Sequence, residues 1–465
     1  MANTAKNLYP VLETPRGFPD PDMIERAYDE ADFNRAVQSY RFFYPTVSFA
    51  SVYAGPQKIG AVPNKVFGIL KGNPTQLVFT ANSDTPYATV LLDLTDSPAV
   101  IELPPGPLIG VANDLNQRWV MDLGVPGPDA GKGGKHVIIP PDYKGVIPEN
   151  HFIGHSTTRR LILAVRVIPE NGDIEAAVAR MKDIKITPLA SGVRWGEQQW
   201  VDISTTFQDT TPLQYENNIR FWEVLHEVID AEPAFEGYRN QYGELAALGI
   251  EKGKPFSPDP RMKGILERAA KSGVEQMRVQ AFADRRPERV VWKDRRWEWL
   301  CLRPDTTSFD TPNFTDLSAR EKWFYQAILE SPAMTRRKVG SGSVYWLGHR
   351  DKNGTWLDGD KTYKLTVPLP VPAKLFWSVT VYDAETRSEI QTDQKNAALR
   401  SLFEVKDKLK QSSVDLYFGP TPPKGHENEW IKTIPGKGWF SYFRVYGPDA
   451  EALNGKWKPA DFERI

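Results

Sequence analysis

A chain of 465 residues is too long for one ordinary hydrophobic core, so two or three domains are expected. Charged residues at 25% and hydrophobic ones at 40% describe a globular protein, and a formal net charge of -1 gives no electrostatic pull toward nucleic acid or an anionic membrane. Cys301 is the single cysteine, which excludes an intrachain disulfide framework and a multi-cysteine metal site.

No apolar run reaches the roughly 18 to 20 residues that cross a bilayer, so no membrane insertion is expected. Met1 to Pro10 lacks a signal-peptide apolar core. The expected chain is soluble, cytoplasmic as it stands, and periplasmic or secreted where a signal was removed. The 38 prolines and 34 glycines, spread rather than clustered, predict many short strands joined by turns.

Residues 1–45 read as a polar leader and a helix: Asp20 as N-cap, Pro21 at the first helical position, then Ile24, Ala27, Phe33, Ala36, Val37 and Tyr40 on one face. Tyr44-Pro45 is expected to end it. Residues 46–172 predict a β domain with strands over 77–80, 88–94, 100–103, 108–112, 137–139 and 161–168. Gly131 to Lys135 reads as a hairpin loop, since it lacks the Gly-Lys-Ser/Thr ending of a phosphate cradle. Residues 173–340 predict a mainly helical connector, with helices starting at Thr211-Pro212, at Asp259-Pro260 and at the capping box Ser318-Ala319-Arg320-Glu321. Residues 341–465 return to β, with strands over 345–348, 362–366, 376–382, 416–418 and 440–445.

Residues 93–118 and 358–387 each run polar turn, strand, proline-rich corner, strand and Asp-x-x-x-Arg, as Asp114 with Arg118 and Asp383 with Arg387. A structural repeat of this kind predicts two related β units with a cleft between them.

The chain carries Phe33-Asn34-Arg35-Ala36-Val37, Asn82-x-Asp84-Thr85-x-Tyr87, the turn from Asp93 to Pro98, Asp114 and the strand containing Arg166. Through these the N-terminal half resembles domain of unknown function 1254. Through Phe376-Trp377-Ser378-Val379-Thr380-Val381-Tyr382-Asp383, Gly438-Trp439-Phe440 and Arg444-Val445-Tyr446-Gly447-Pro448, the C-terminal half resembles domain of unknown function 1214. The resemblance implies a mainly β fold with a helical insertion, built as two β-sandwich, jelly-roll-like domains. It implies no established reaction. Asn428-Glu429-Trp430-Ile431 departs from the family's usual Asn-Trp-Leu-Pro.

The candidate acids and bases are Asp84, Tyr87, Asp114, Tyr382 and Asp383, because carboxylates or phenols desolvated in a cleft acquire pKa values suited to proton transfer. The same aspartates serve equally as turn caps. Arg118, Arg166 and Arg444 are candidate anchors for negative charge. Arg166 stands inside an apolar run, where a buried guanidinium requires an acidic partner or a bound anion. Asn82, Thr85 and Trp377 complete the candidate binding residues. His151-x-x-x-His155 suits a metal pair only on a helix, which Gly154 and Pro148 disfavour. No cofactor is expected, with a hard cation held by Asp84, Asp93 and Asp114 as the alternative. No Gly-x-Ser-x-Gly elbow is present, and Cys301 reads as a core thiol.

These residues lead to an enzyme of hydrolase or lyase type acting on a small organic substrate between two β domains. The alternatives are a carbohydrate- or small-ligand-binding protein without turnover and a structural assembly unit, with a homo-oligomer among the expected partners.

Overall fold

The computed structural model describes residues 15–465; the polar leader read over 1–14 lies outside the described residues. Helix α1 spans Pro21–Lys58, with the Asp20 side chain accepting from the Asp22 amide at its start. The break expected at Tyr44-Pro45 does not occur: α1 continues through Pro45 and Pro56. Proline removes one backbone donor from a helix interior, but this stretch is held on several sides. Tyr40, Tyr44 and Val47 are fully buried, and the Pro45 carbonyl accepts from Gln117 Nε2 at 2.9 Å and from Ser48 Oγ at 3.1 Å.

Ten strands form the N-terminal sandwich: β1 (Val66–Leu70), β2 (Tyr87–Asp93), β3 (Ala99–Leu103), β4 (Leu108–Asp114), β5 (Trp119–Gly124), β6 (Gly134–Ile139), β7 (Phe152–His155), β8 (Arg160–Val167), β9 (Lys185–Pro188) and β10 (Gln199–Asp202). The larger sheet has the order β10-β1-β2-β8-β4-β5, the smaller β7-β6-β3-β9. Alternate residues of each, Val90, Leu92, Leu163 and Val165 on one side and Ile101 and Ile138 on the other, share one core. Helix α2 (Ile174–Met181) adds Ala177, Val178 and Met181 to it.

Nine strands form the C-terminal sandwich: β11 (Glu298–Trp299), β12 (Ser343–Gly348), β13 (Tyr363–Pro368), β14 (Ala373–Asp383), β15 (Ala398–Arg400), β16 (Ser413–Gly419), β17 (Trp430–Lys432), β18 (Trp439–Pro448) and β19 (Glu463–Arg464). The orders are β11-β12-β18-β14-β15 and β17-β16-β13-β19, and none of the four sheets closes into a barrel. Taken strand by strand, β1 to β9 and β11 to β19 occupy the same places in the two sandwiches.

The register agrees as well. Asp114 pairs with Leu161 and Ile109 with Arg166, while Asp383 pairs with Trp439 and Ser378 with Arg444. On the other side of the central strand, Tyr87 pairs with Arg166 and Tyr345 with Arg444. The repeat seen loosely in sequence is therefore a repeat of topology and register, each unit carrying a tyrosine beside an arginine on its central strands.

Helices α3 (Arg220–Ala231), α4 (Arg239–Ala246), α5 (Pro260–Phe282) and α6 (Leu317–Gln326) fill the connector and pack with α1. Gly273 of α5 permits the closest approach, since a Cβ there would meet the Tyr40 ring at 2.3 Å. Asp259 caps α5 as expected, accepting from the Met262 amide at 2.8 Å. The helix expected from Thr211-Pro212 begins only at Arg220 after a run of turns. The capping box at Ser318 is replaced by Asp316, which accepts from the Ala319 amide at 2.9 Å. Residues 77–80 form no strand; Leu77 makes a single bridge to Asp209. Strands β9, β10 and β11 lie inside the stretch read as helical, too short and polar for periodicity to reveal.

Candidate functional site

The outward face of the larger N-terminal sheet looks across at the outward face of the larger C-terminal sheet. Between them lies a cavity of about 300 Å³. Ile109, Val111, Ile162 and Ala164 line one wall, Tyr345, Tyr442 and Tyr446 the other. Phe49 and Val52 of α1, and Trp323 of α6 with Ala327 to Leu329 beyond its end, close the sides. These strand residues alternate with the sandwich core, so an apolar residue on the outward face here marks a second buried surface rather than solvent.

Arg166 reaches this cavity from β8. It is 9% exposed; among the described residues no carboxylate approaches it within 4 Å and its Nη1 has no hydrogen-bond partner. Its guanidinium lies over the Tyr87 ring at 5.7 Å and the Tyr446 ring at 5.0 Å. Two aromatic faces stabilise a cation weakly, the Tyr446 hydroxyl is its polar neighbour, and Nη1 is left unmet. Burial pushes the Tyr87 phenol above its usual pKa, so it holds its proton near neutral pH.

Arg444, at the equivalent register position, is used differently. Its Nη1 donates to Thr380 Oγ1 at 2.8 Å and its Nη2 to the Thr80 and Ala81 carbonyls at 3.0 and 3.2 Å. It ties the loop before β2 to β18 while still lining the cavity. Asp84 is 1% exposed and stands behind the same wall, where Ser378 Oγ and the Tyr446 hydroxyl donate to its Oδ2 at 2.8 and 3.1 Å. Asn82 lines the cavity, its Nδ2 donating to the Tyr446 hydroxyl and its Oδ1 accepting from the Asp84 amide at 2.7 Å. Thus Asn82, Tyr87, Arg166 and Arg444 converge on the cavity, with Asp84 one side chain away.

The other candidates do not reach it. Asp114 is fully buried in the turn after β4, accepting from the Asn116 and Arg118 amides at 3.0 and 3.1 Å and from the Thr157 amide at 2.8 Å. Asp383 caps the equivalent turn after β14, accepting from the Glu385 amide and from Lys437 Nζ at 2.8 and 3.0 Å. The repeated Asp-x-x-x-Arg therefore builds a turn in each unit, with Gln117 and Arg387 at positive φ. Arg118 is ion-paired to Asp310 at 2.9 Å. Trp377 stacks on Phe443 inside the C-terminal core, because β14 turns that side inward. The Tyr382 hydroxyl anchors the Ala81 carbonyl at 2.8 Å, and Thr85 is buried.

Two acids that sequence reasoning passed over do line the cavity, Asp122 on β5 and Glu389 after β14. Both are almost wholly buried, and burial pushes each carboxyl up to about 6. The signal was present for Asp122: it stands within the apolar run Val120-Met121-Asp122-Leu123, as Arg166 does in its own.

His151 and His155 flank and end strand β7, not a helix. Asp84, Asp93 and Asp114 are engaged separately, Asp93 accepting from the Thr95 amide at 3.0 Å, and no group of three or more His, Cys, Asp or Glu is placed to hold a metal ion among the described residues. Cys301 is buried in a core shared with α6, its thiol pushed up to about 12 by burial. No helix of the described residues is long and apolar enough to cross a membrane. A second hollow of about 380 Å³ lies among α1, α3 and α4, but the polar groups Asn116 and Glu232 on its wall are bound to Thr46 and Arg160.

Among solved structures, the VPA0106 protein from Vibrio parahaemolyticus is similar over 93% of this chain and 100% of its own, at 16% identity and a TM-score of 0.59, a likeness of fold. An uncharacterised protein from Burkholderia cenocepacia covers 96% of this chain and 97% of its own at 11% identity and a TM-score of 0.39. No curated protein matches the sequence. Family models described as protein of unknown function match residues 66–188 (DUF1254) and 342–450 (DUF1214), falling on the two repeated units in turn. The chain thus carries a DUF1254 domain followed by a DUF1214 domain.

Proposed function

We propose that the cavity between the two sandwiches binds a small organic anion and that the protein is an enzyme of the hydrolase or lyase type acting on it. The observation that carries this reading is Arg166, a buried guanidinium with no carboxylate beside it and a free Nη1 on the cavity wall. A buried cation without an internal partner is strongly disfavoured unless a ligand supplies the countercharge. The apolar walls favour a ligand with a hydrocarbon or aromatic body, and Tyr87 beside Arg166 supplies a proton donor.

A binder without turnover is the second reading, favoured because Asp114 and Asp383 are consumed in turns. Turnover screening of esters, amides and hydroxy acids with wild type beside Tyr87→Phe separates the two. Activity in the wild type that falls in Tyr87→Phe supports the enzyme; no activity in either, with ligand binding retained in both, favours the binder. An assembly of several copies is a further reading that light scattering at working concentration decides.

A further inference from the structure

Arg166 and Asp122 project from the same face of one sheet. Asp122 pairs with Val111, and Val111 with Ala164, two residues before Arg166 on β8. Two strand spacings across and two residues along place the Cα atoms about 12 Å apart. Between them lie Ile109 and Val111, both on the cavity wall. Asp122 is 5% exposed, and its Oδ1 has no hydrogen-bond partner.

The groups that face Asp122 are few. Trp119 comes from its own strand, Ser331 and the Ala333 amide from the segment after α6, and Arg336 lies further along that segment. Glu330, near enough to feel the Asp122 charge, is 1% exposed, with the Ser308 amide donating to its Oε1 at 3.1 Å and its Oε2 unpartnered. Glu389, the other carboxyl of the cavity, sits among Arg444, Arg400 and Asp84. Arg400 is already paired to Glu404, and Arg444 to Thr380 and the Thr80 and Ala81 carbonyls. Among the described residues neither carboxyl has an arginine or lysine within 4 Å; Asp122 is set apart by sharing a sheet face with Arg166 across Ile109 and Val111.

Resting on the anion-site reading above, we infer that Asp122 is a second proton-transferring group of this cavity, at the end away from Tyr87. The ligand is then an organic carboxylate that spans from Arg166 to Asp122, with an aromatic ring or short apolar chain over Ile109 and Val111. Its proton-bearing centre lies at the end away from the carboxylate. Asp122 takes that proton as a carboxylate, or returns it as the acid, on one carboxyl oxygen.

The probe is benzoate, titrated calorimetrically near pH 6.5 in two buffers of different ionisation enthalpy, so that proton uptake on binding is read apart from affinity. With its carboxylate on Arg166, benzoate lays its apolar ring over Ile109 and Val111 toward Asp122; the added desolvation raises the proton affinity of that carboxyl, and the wild type takes up protons. In Asp122→Asn the uptake falls to less than about half while the dissociation constant changes less than about threefold; Arg166→Met weakens benzoate by about tenfold or more. Asp122→Ala repeats the measurement if the asparagine variant does not fold. Benzoate binding with uptake undiminished in both Asp122 variants overturns this inference alone and points to Glu389. No benzoate binding by the wild type overturns the anion-site reading, and this inference with it.

Discussion

Replacing Arg166 by methionine tests the central physical claim, because stability and binding are expected to respond in different directions. The guanidinium is 9% exposed and faces two rings, at 5.7 and 5.0 Å. Losing two such contacts costs about 1–2 kcal/mol in total. Removing an uncompensated buried charge returns several kcal/mol of desolvation penalty, and methionine fills most of the aliphatic volume. The expected net effect is an unchanged or higher melting temperature. Ligand affinity loses a charge-assisted contact of about 1.5–3 kcal/mol, or roughly 10- to 150-fold. Calorimetric melting and benzoate titration measure the two quantities on the same samples. A clear drop in melting temperature with affinity unchanged refutes the reasoning, since it means the arginine satisfies the fold.

Glu330 predicts a pH dependence of stability. Burial, with Asp122 nearby, raises its carboxyl from 4.5 to about 7. A raised folded-state value means that the native state binds more protons, so its stabilising contribution is full below about pH 4.5 and is lost as pH rises through about 7. The loss is about 3 kcal/mol at pH 8, and Glu330→Gln should raise stability at pH 8 more than at pH 5 in denaturant titrations; equal effects at the two values would contradict the assignment. Asp114→Ala removes an acceptor for three backbone amides and should cost about 2–4 kcal/mol of stability while benzoate affinity stays within about threefold of wild type. Trp377→Ala should destabilise by about 3–5 kcal/mol through a cavity beside Phe443, again without an effect on binding.

Much of the fold was legible in local pattern. Asp20-Pro21 and Asp259-Pro260 started their helices where capping chemistry puts them. The alternating runs around 88–94, 108–112 and 440–445 became central strands. Other elements resisted for identifiable reasons. Pro45 failed to stop α1 because tertiary contacts outweighed the loss of one helical hydrogen bond. Strand β5 was hidden because Asp122 interrupts an apolar run with a charge that makes sense only beside a cavity.

The site divides along the same line. Arg166 was legible because a charge in an apolar strand demands an explanation at the level of the residue itself. Asp114 and Arg118 pointed to chemistry by type, yet the turn after β4 consumes the carboxylate and Asp310 the cation. By itself the sequence determined two β-rich halves, the capped helices and the residues whose burial would be costly; that the halves repeat one topology was decided by the strand order. Which of those costs is answered inside the protein, and which is left open to a ligand, was decided only when two outward sheet faces met, because hydrogen bonding and charge neutralisation depend on partners that lie hundreds of residues apart along the chain, as Tyr446 does from Asp84.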